Sequence, residues 1–280
     1  MKVKILNLRK SHIGLIFIFT ILTLWTLFPL FFTVVTAFKT ATEILSYPPT
    51  LIPKKPTVEP FNFVLSNEVV MAYFRNSILI STLSTLIALI LAIPAAYCGA
   101  RYRFKGKDTL MFLILTFRFL PPASVVISIF IFARNLGIID TIGLLANVYA
   151  AMNLPIAVWV LMSYIREIPK EMEDSFMIDG YSRIQAVFKV TLPLLKTGIV
   201  AVALLLIALS FGEFLFAVIL TFSPAAKTLP VGLSEAMGGE WGYHFDRIAA
   251  MLVLGLIPLL ILFIALRKHL VRGLTFGIIR

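Results

Sequence analysis

Six long apolar runs constrain this chain more than any motif in it: Ile13 to Thr36, Ser77 to Ala100, Thr109 to Ala133, Leu144 to Ile165, Thr197 to Phe222 and Ile248 to Leu266. At about 1.5 Å of rise per helical residue, each can cross roughly 30 Å of hydrocarbon. Lipid offers no partner to a backbone N–H or C=O, so each run is expected to satisfy its own as a helix. The 280 residues are 60 % hydrophobic and 14 % charged, with a mean hydropathy of +0.97, which excludes an ordinary water-soluble globule. The expected fold is an all-α membrane protein with six transmembrane helices, forming one domain over residues 1–280. The run from Ile13 exceeds the 7 to 15 residues of a signal-peptide core and reads as a retained first span.

Seventeen of the 25 Lys and Arg residues fall on one side of these spans and seven on the other, with Arg118 inside a run. The richer side holds Lys2, Lys4, Arg9 and Lys10, then Arg101, Arg103, Lys105 and Lys107, then the segment 166–196, then Arg267, Lys268, Arg272 and Arg280. Basic residues near spans resist translocation, so both termini and segment 166–196 are expected to be cytoplasmic. A net charge of +11 does not imply nucleic acid here, because the cations are dispersed along membrane borders with no aromatic platform beside them.

On the opposite side, residues 37–76 carry Pro48, Pro49, Pro53, Pro56 and Pro60, which disfavour a long helix and predict an extended external strap. The last external loop, 223–246, ends in Gly238-Gly-Glu-Trp-Gly-Tyr243, where Trp241 and Tyr243 can anchor at the lipid interface or meet a partner.

Between the fourth and fifth runs lies a charged, capped helical hairpin. Pro169 suits a first helical turn, and Glu171, Glu173 and Asp174 place negative charge near the positive end of the helix dipole. Met172 and Phe176 share a face, and Gly180 supplies the reversal. Ser182 and Gln185 form a capping-box pattern that opens a second short helix with an apolar stripe of Ile184, Val187 and Phe188, ended by Pro193. Asp179 opposes the helix dipole and needs a partner, either in the turn itself or on a docking protein.

This hairpin resembles the cytoplasmic coupling loop of permease subunits in ATP-binding-cassette importers. Asp174, Ser175 and Phe176 stand where that family prefers Glu-Ala-Ala, Gly180 is its glycine, and Val190, Leu192 and Pro193 match its Ile-x-Leu-Pro ending. Phe38-Lys-Thr with Glu43 and Pro48-Pro49, the element Arg118-Phe-Leu-Pro-Pro122, and the ending Val271-Arg-Gly-Leu-Thr-Phe-Gly277 are similar to segments of carbohydrate-importer permeases of the maltose type. Glu213 stands near that family's Trp-Asn-Glu-Phe pattern, with Phe211 and Gly212 in place of the Trp and Asn.

The resemblance implies the type I importer permease fold and import of a sugar or oligosaccharide by alternating access. It assigns ATPase coupling to Asp174, Ser175, Phe176, Asp179, Gly180, Leu192 and Pro193, and a solute pathway or gate to Arg118, Pro121, Pro122, Gly212 and Glu213. It also implies a second, similar permease, two ATPase subunits that hold the ATP and Mg, and an extracytoplasmic solute-binding protein, in a bacterial or archaeal cell membrane. No cofactor is expected on this chain. Gly106-Lys107-Asp108 lacks the earlier glycine and the Ser or Thr of a phosphate loop.

Intramembrane charge independently marks Arg118 and Glu213, which are costly in lipid unless they face protein or water. From residues alone, an importer of another polar solute or a proton-coupled secondary transporter would also bury such charges, though the latter has no need of a docking hairpin. A membrane enzyme would show a convergent constellation. His12, His244 and His269 are scattered, and Cys98 is the only cysteine, so neither a catalytic nor a metal set is expected.

Overall fold

The computed structural model describes residues 2–240 and 244–275, with side chains over 14–238 and 244–266. It is helical, with no strand among the described residues: α1 (Lys2–Ala37), α2 (Ala41–Ile44), α3 (Glu59–Ser66), α4 (Glu68–Arg101), α5 (Lys107–Thr116), α6 (Pro122–Asn135), α7 (Ile142–Glu167), α8 (Lys170–Ile178), α9 (Arg183–Ala186), α10 (Leu192–Phe211), α11 (Leu215–Leu220), α12 (Leu229–Glu235) and α13 (Phe245–Thr275). Trp241, Tyr243 and Gly277 lie outside the described residues, as do the side chains of His12, His269 and the basic residues of both tails.

Among the described residues, five helical stretches are long and apolar enough to span: Gly14–Ala37, Glu68–Arg101, Ile142–Glu167, Arg183–Phe211 and Phe245–Leu266. The third apolar run does not form one helix. It divides into Lys107–Phe119 and Pro122–Asn135, bent by 88°, so a sixth crossing exists only as this broken pair. The cause is local, because neither Pro121 nor Pro122 has an N–H to continue the ladder. The Phe117 carbonyl instead accepts from Leu120 N–H at 3.4 Å in a 3₁₀ turn.

The fifth run departs from expectation. Its helix stops at Phe211, and Leu215–Leu220 forms the separate α11. Residues 37–76 are not extended throughout: α2 and α3 interrupt them, and everything from Glu68 belongs to α4. Loop 223–246 likewise contains α12 and a π-helical turn, Ala236–Glu240.

The chain divides into two compact units, Met1–Asn67 with Glu235–Leu256, and Glu68–Ser234 with Ile257–Arg280. In the first, Glu43 organises the proline-rich loop by accepting from Thr50 Oγ1 at 2.9 Å and Lys54 N–H at 2.8 Å. The Lys54 amide, foremost, holds the Glu43 carboxyl below its ordinary range. Lys39, buried, donates to the Thr50 carbonyl.

The second unit is built on α4, α7 and α10. Ala88, Ala92 and Ala96 of α4 are fully buried against a cluster that includes Leu161 and Ile165 of α7 and Leu206 of α10. Small side chains let membrane helices approach closely where no hydrophobic drive joins them. Gly198 shows how closely: a Cβ there would stand 2.7 Å from Cγ of Tyr164. Trp159 adds a polar tie, its indole N–H donating to the Met111 carbonyl at 3.0 Å and so holding α5 to α7.

Candidate functional site

Two places in the second unit gather the residues singled out by the sequence. The first is the hairpin. Pro169 occupies the cap position of α8, one residue outside the helix, and Gly180 reverses the chain at φ +91°. A Cβ at Gly180 would meet nothing within 4 Å, so the backbone conformation, and not space, calls for glycine. Ser182 and Gln185 complete a reciprocal capping box: Gln185 N–H donates to Ser182 Oγ at 3.3 Å, and Ser182 N–H donates to Gln185 Oε1 at 2.8 Å.

Beyond this cap the structure corrects the expected ending. A π-turn, Val187–Thr191, carries the helix on, and Arg183–Phe211 runs as one 29-residue span. Pro193 therefore does not break the pattern. Leu192 N–H bonds the Val187 carbonyl five residues back, and this wider turn accommodates a ring that would clash with a carbonyl four residues back in an α-helix.

On the outer side of α8, Asp174 lies 3.8 Å from Lys170; Lys170 is exposed and Asp174 half-buried. Phe176 stacks on Tyr181 with centroids 4.2 Å apart, and Lys189 caps the Tyr181 ring at 5.2 Å. Ser175 is exposed, and its carbonyl accepts from Asp179 N–H at 3.3 Å. Asp179 is exposed, and its carboxylate has no hydrogen bond or ion pair among the described residues. Ile178 of α8 is 85 % exposed; in the stripe of the second helix Ile184 and Phe188 are 70 and 66 % exposed, while Val187 packs against the core, and all three stripe residues border an apolar groove with Ile90, Ile93 and Pro94 of α4.

The buried residue of α8 is Glu173, which sequence reasoning placed only as dipole charge; Met172 is exposed. Glu173 Oε1 accepts from Arg101 Nε and from Thr191 Oγ1, each at 2.9 Å, and Oε2 accepts from Tyr97 Oη at 2.8 Å. Arg101 Nη2 also donates to the Ile168 carbonyl at 2.8 Å. A signal existed: Glu173, Phe176 and Met177 follow i, i+3, i+4 spacing, which puts the carboxylate on the helix's inner face.

The second place is a cavity of about 200 Å³ lined by Arg118, Pro122, Tyr149, Met152, Asn153, Leu209, Ser210, Glu213, Leu215 and Phe216. The breaks in both spans bring Arg118 and Glu213 to one cavity despite their different depths along the sequence. They form no ion pair. Arg118 Nη1 reaches the Met152 carbonyl at 3.5 Å, whereas Glu213 accepts from Phe216 N–H at 3.1 Å and Ala217 N–H at 3.3 Å and so caps α11. Pro121 caps α6 without lining the cavity. Gly212 ends α10 at φ −89°, a conformation open to any residue, and is also outside the lining.

Ser210, Asn153 and Ser84 were not singled out as site residues, yet they form a buried polar floor, with Ser210 and Asn153 in the cavity lining and Ser84 bonded to Ser210 from outside it. Asn153 Nδ2 and Ser84 Oγ each donate to Ser210 Oγ at 3.0 Å, joining α7, α4 and α10. Their spacing in sequence gives no hint of this, since the partners are 57 and 126 residues apart.

Residues 85–276, which contain both places, match the family described as "Binding-protein-dependent transport system inner membrane component". The chain belongs to this family. It is 34 % identical to a trehalose/maltose transport system permease protein of Thermococcus litoralis, over 91 % of each chain. It is 32 % identical to a sulfoquinovosyl glycerol transport system permease protein of Agrobacterium fabrum, over 90 % of this chain and 88 % of that one. Among solved structures, a chain of a bacterial ABC transporter involved in alginate import superposes with a TM-score of 0.75 at 22 % identity, covering 93 % of this chain and 96 % of that one. That likeness establishes the type I importer permease fold. Members of this family are multi-pass membrane components and not enzymes.

Proposed function

We propose that this permease component imports a sugar or oligosaccharide, with the 170–191 hairpin on the cytoplasmic side docking into separate ATPase subunits. The observation that carries the reading is the hairpin's division of labour. Its base is fixed to the membrane helices by buried hydrogen bonds through Glu173, while Ile178 and the free carboxylate of Asp179 are presented outward at the turn. An apolar surface with an unpaired charge at the end of a rigid arm suits a protein groove better than lipid. The distribution of basic residues supports a cytoplasmic position for both termini as well.

Sugar as the solute is supported by the names of the relatives and by the cavity's chemistry. Arg118 and Asn153 offer donors, Ser210 and Tyr149 hydroxyls, and Glu213 an acceptor, a set suited to a neutral solute rich in hydroxyl groups. At about 200 Å³ the cavity is below the roughly 300–1,000 Å³ of ordinary ligand pockets, as expected of half a pathway completed by a second permease. ATP and Mg reside on the ATPase pair, an extracytoplasmic binding protein delivers solute, and nucleotide-driven closure of the ATPases switches the paired permeases between inward-facing and outward-facing states.

The test is a cross-link. Ile178→Cys, in the assembled complex, should bond covalently to the ATPase subunit through a short bifunctional thiol reagent, and Gly180→Val should diminish the product. An Ile178→Cys variant that assembles and transports but reacts only with lipid or detergent refutes the docking. The isolated chain should hydrolyse no ATP.

A further inference from the structure

The hairpin could hang from the membrane helices in two ways: as a lever free to swing at Pro169 and Gly180, or as an extension of the bundle. The cluster around Glu173 decides between them. Its carboxylate is 1 % exposed and the Arg101 side chain 6 %. Tyr97 and Arg101 approach from the end of α4, and Thr191 from the π-turn that leads into α10. Arg101 also donates Nη2 to the carbonyl of Ile168, the residue that ends α7. One ion pair therefore ties α8 to the ends of three spans.

We propose that Glu173 and Arg101 are positioning residues for energy coupling: they join the hairpin rigidly to α4, α7 and α10, so that displacement of its tip moves the three spans as one body. This rests on the docking proposed above. Apolar packing alone lets a helix slide or rotate at little cost, whereas hydrogen bonds weaken steeply with angle and so fix orientation. Four such bonds meet here, all at 2.8 or 2.9 Å. The location fits the role, since the cluster touches neither the intramembrane cavity nor the exposed tip.

The experiment uses the complete complex with its ATPase subunits in lipid nanodiscs. Spin labels are placed on this chain's single native cysteine, Cys98 of α4, and on Glu171→Cys of α8, both exposed. Their separation should be one narrow distribution that does not shift when ATP and vanadate trap the ATPases. The double variant Arg101→Met with Glu173→Leu removes both charges at similar volume, so it avoids leaving one buried charge unpaired. In it the distribution should broaden and become nucleotide-dependent, and ATP hydrolysis without the binding protein should rise at least about fivefold. Tyr97→Phe and Thr191→Val, each deleting one bond without burying charge, should broaden it less.

A double variant as narrow and nucleotide-insensitive as the parent shows that packing alone holds the hairpin, and overturns the proposal. So does a nucleotide-dependent shift in the parent. Absence of the Ile178→Cys cross-link overturns the docking reading, and with it any role in coupling; a cross-link accompanied by a rigid double variant overturns this proposal alone.

Discussion

Glu173 and Glu213 are both carboxylates in places where charge is costly, and they are satisfied in opposite ways. Glu173 draws its donors from residues 76, 72 and 18 positions away, on α4 and at the entry to α10. Glu213 draws its two from backbone amides three and four residues ahead. The first is a tertiary joint, the second a local cap. The difference teaches what each can transmit: a change at Glu173 is felt by three spans, whereas a change at Glu213 is felt first by the six residues of α11 and the cavity they border.

Removing one member of the joint should have the largest effect. Arg101→Ala leaves Glu173 buried and unpaired, with an expected loss of about 3–5 kcal/mol, read as failure to assemble or a steep fall in the thermal midpoint of the solubilised complex. If the loss resembles that of a surface pair, the claim that the joint is a buried tertiary element is broken.

Glu213→Leu should come next. It strips two amides of their acceptor in the membrane, for roughly 1–3 kcal/mol, while Glu213→Gln keeps an acceptor and should lose much less. Uptake measured alongside assembly sharpens the contrast: a local cap that borders the pathway predicts impaired uptake in the Leu variant with the complex still intact. Equal, parental uptake in both variants removes Glu213 from the pathway.

Smaller effects belong to the hairpin's turn. Gly180→Val forces a β-branched residue to φ +91°, for about 1–2 kcal/mol of strain, and should reduce coupling more than Asp179→Asn, whose side chain makes no bond among the described residues. Ser182→Ala should lose about 1 kcal/mol through the capping box.

The smallest is a pH effect at a third carboxylate. Asp140, at φ 61°, accepts from Phe222 N–H at 2.8 Å and Ser223 N–H at 3.1 Å, clamping the turn before α7 to the end of α11. Burial pushes its carboxyl up, but bonds from the Ser223 side chain and both amides, with the charge of Lys227, outweigh it and hold the group below its ordinary 3.8. A depressed carboxylate stabilises fully above its unfolded pKa, and the contribution is lost as pH falls through the folded value. Thermal midpoints of the parent and Asp140→Asn should therefore differ at pH 7 and converge as the pH drops below the ordinary carboxylate range.

The spans, the hairpin with its glycine turn and capping box, and the break near Pro121 and Pro122 were written in the sequence, because each depends on residues within a turn or two of one another. Hydropathy is additive along a run, a cap needs a hydroxyl three residues before an amide, and a proline removes its own N–H wherever it stands. The continuation of the helix through Pro193 was not legible, since it depends on a π-turn that relieves the clash. Nor was the end of α10 at Phe211, because Gly212 and Glu213 sit within an unbroken apolar run and only the folded chain shows that the carboxylate caps the next helix. The joint of Glu173, Arg101, Tyr97 and Thr191 and the floor of Ser84, Asn153 and Ser210 were decided by tertiary structure alone. A buried polar group must find a partner, but which partner depends on how helices distant in sequence cross, and that is set by the small residues along α4, α7 and α10 that let them approach.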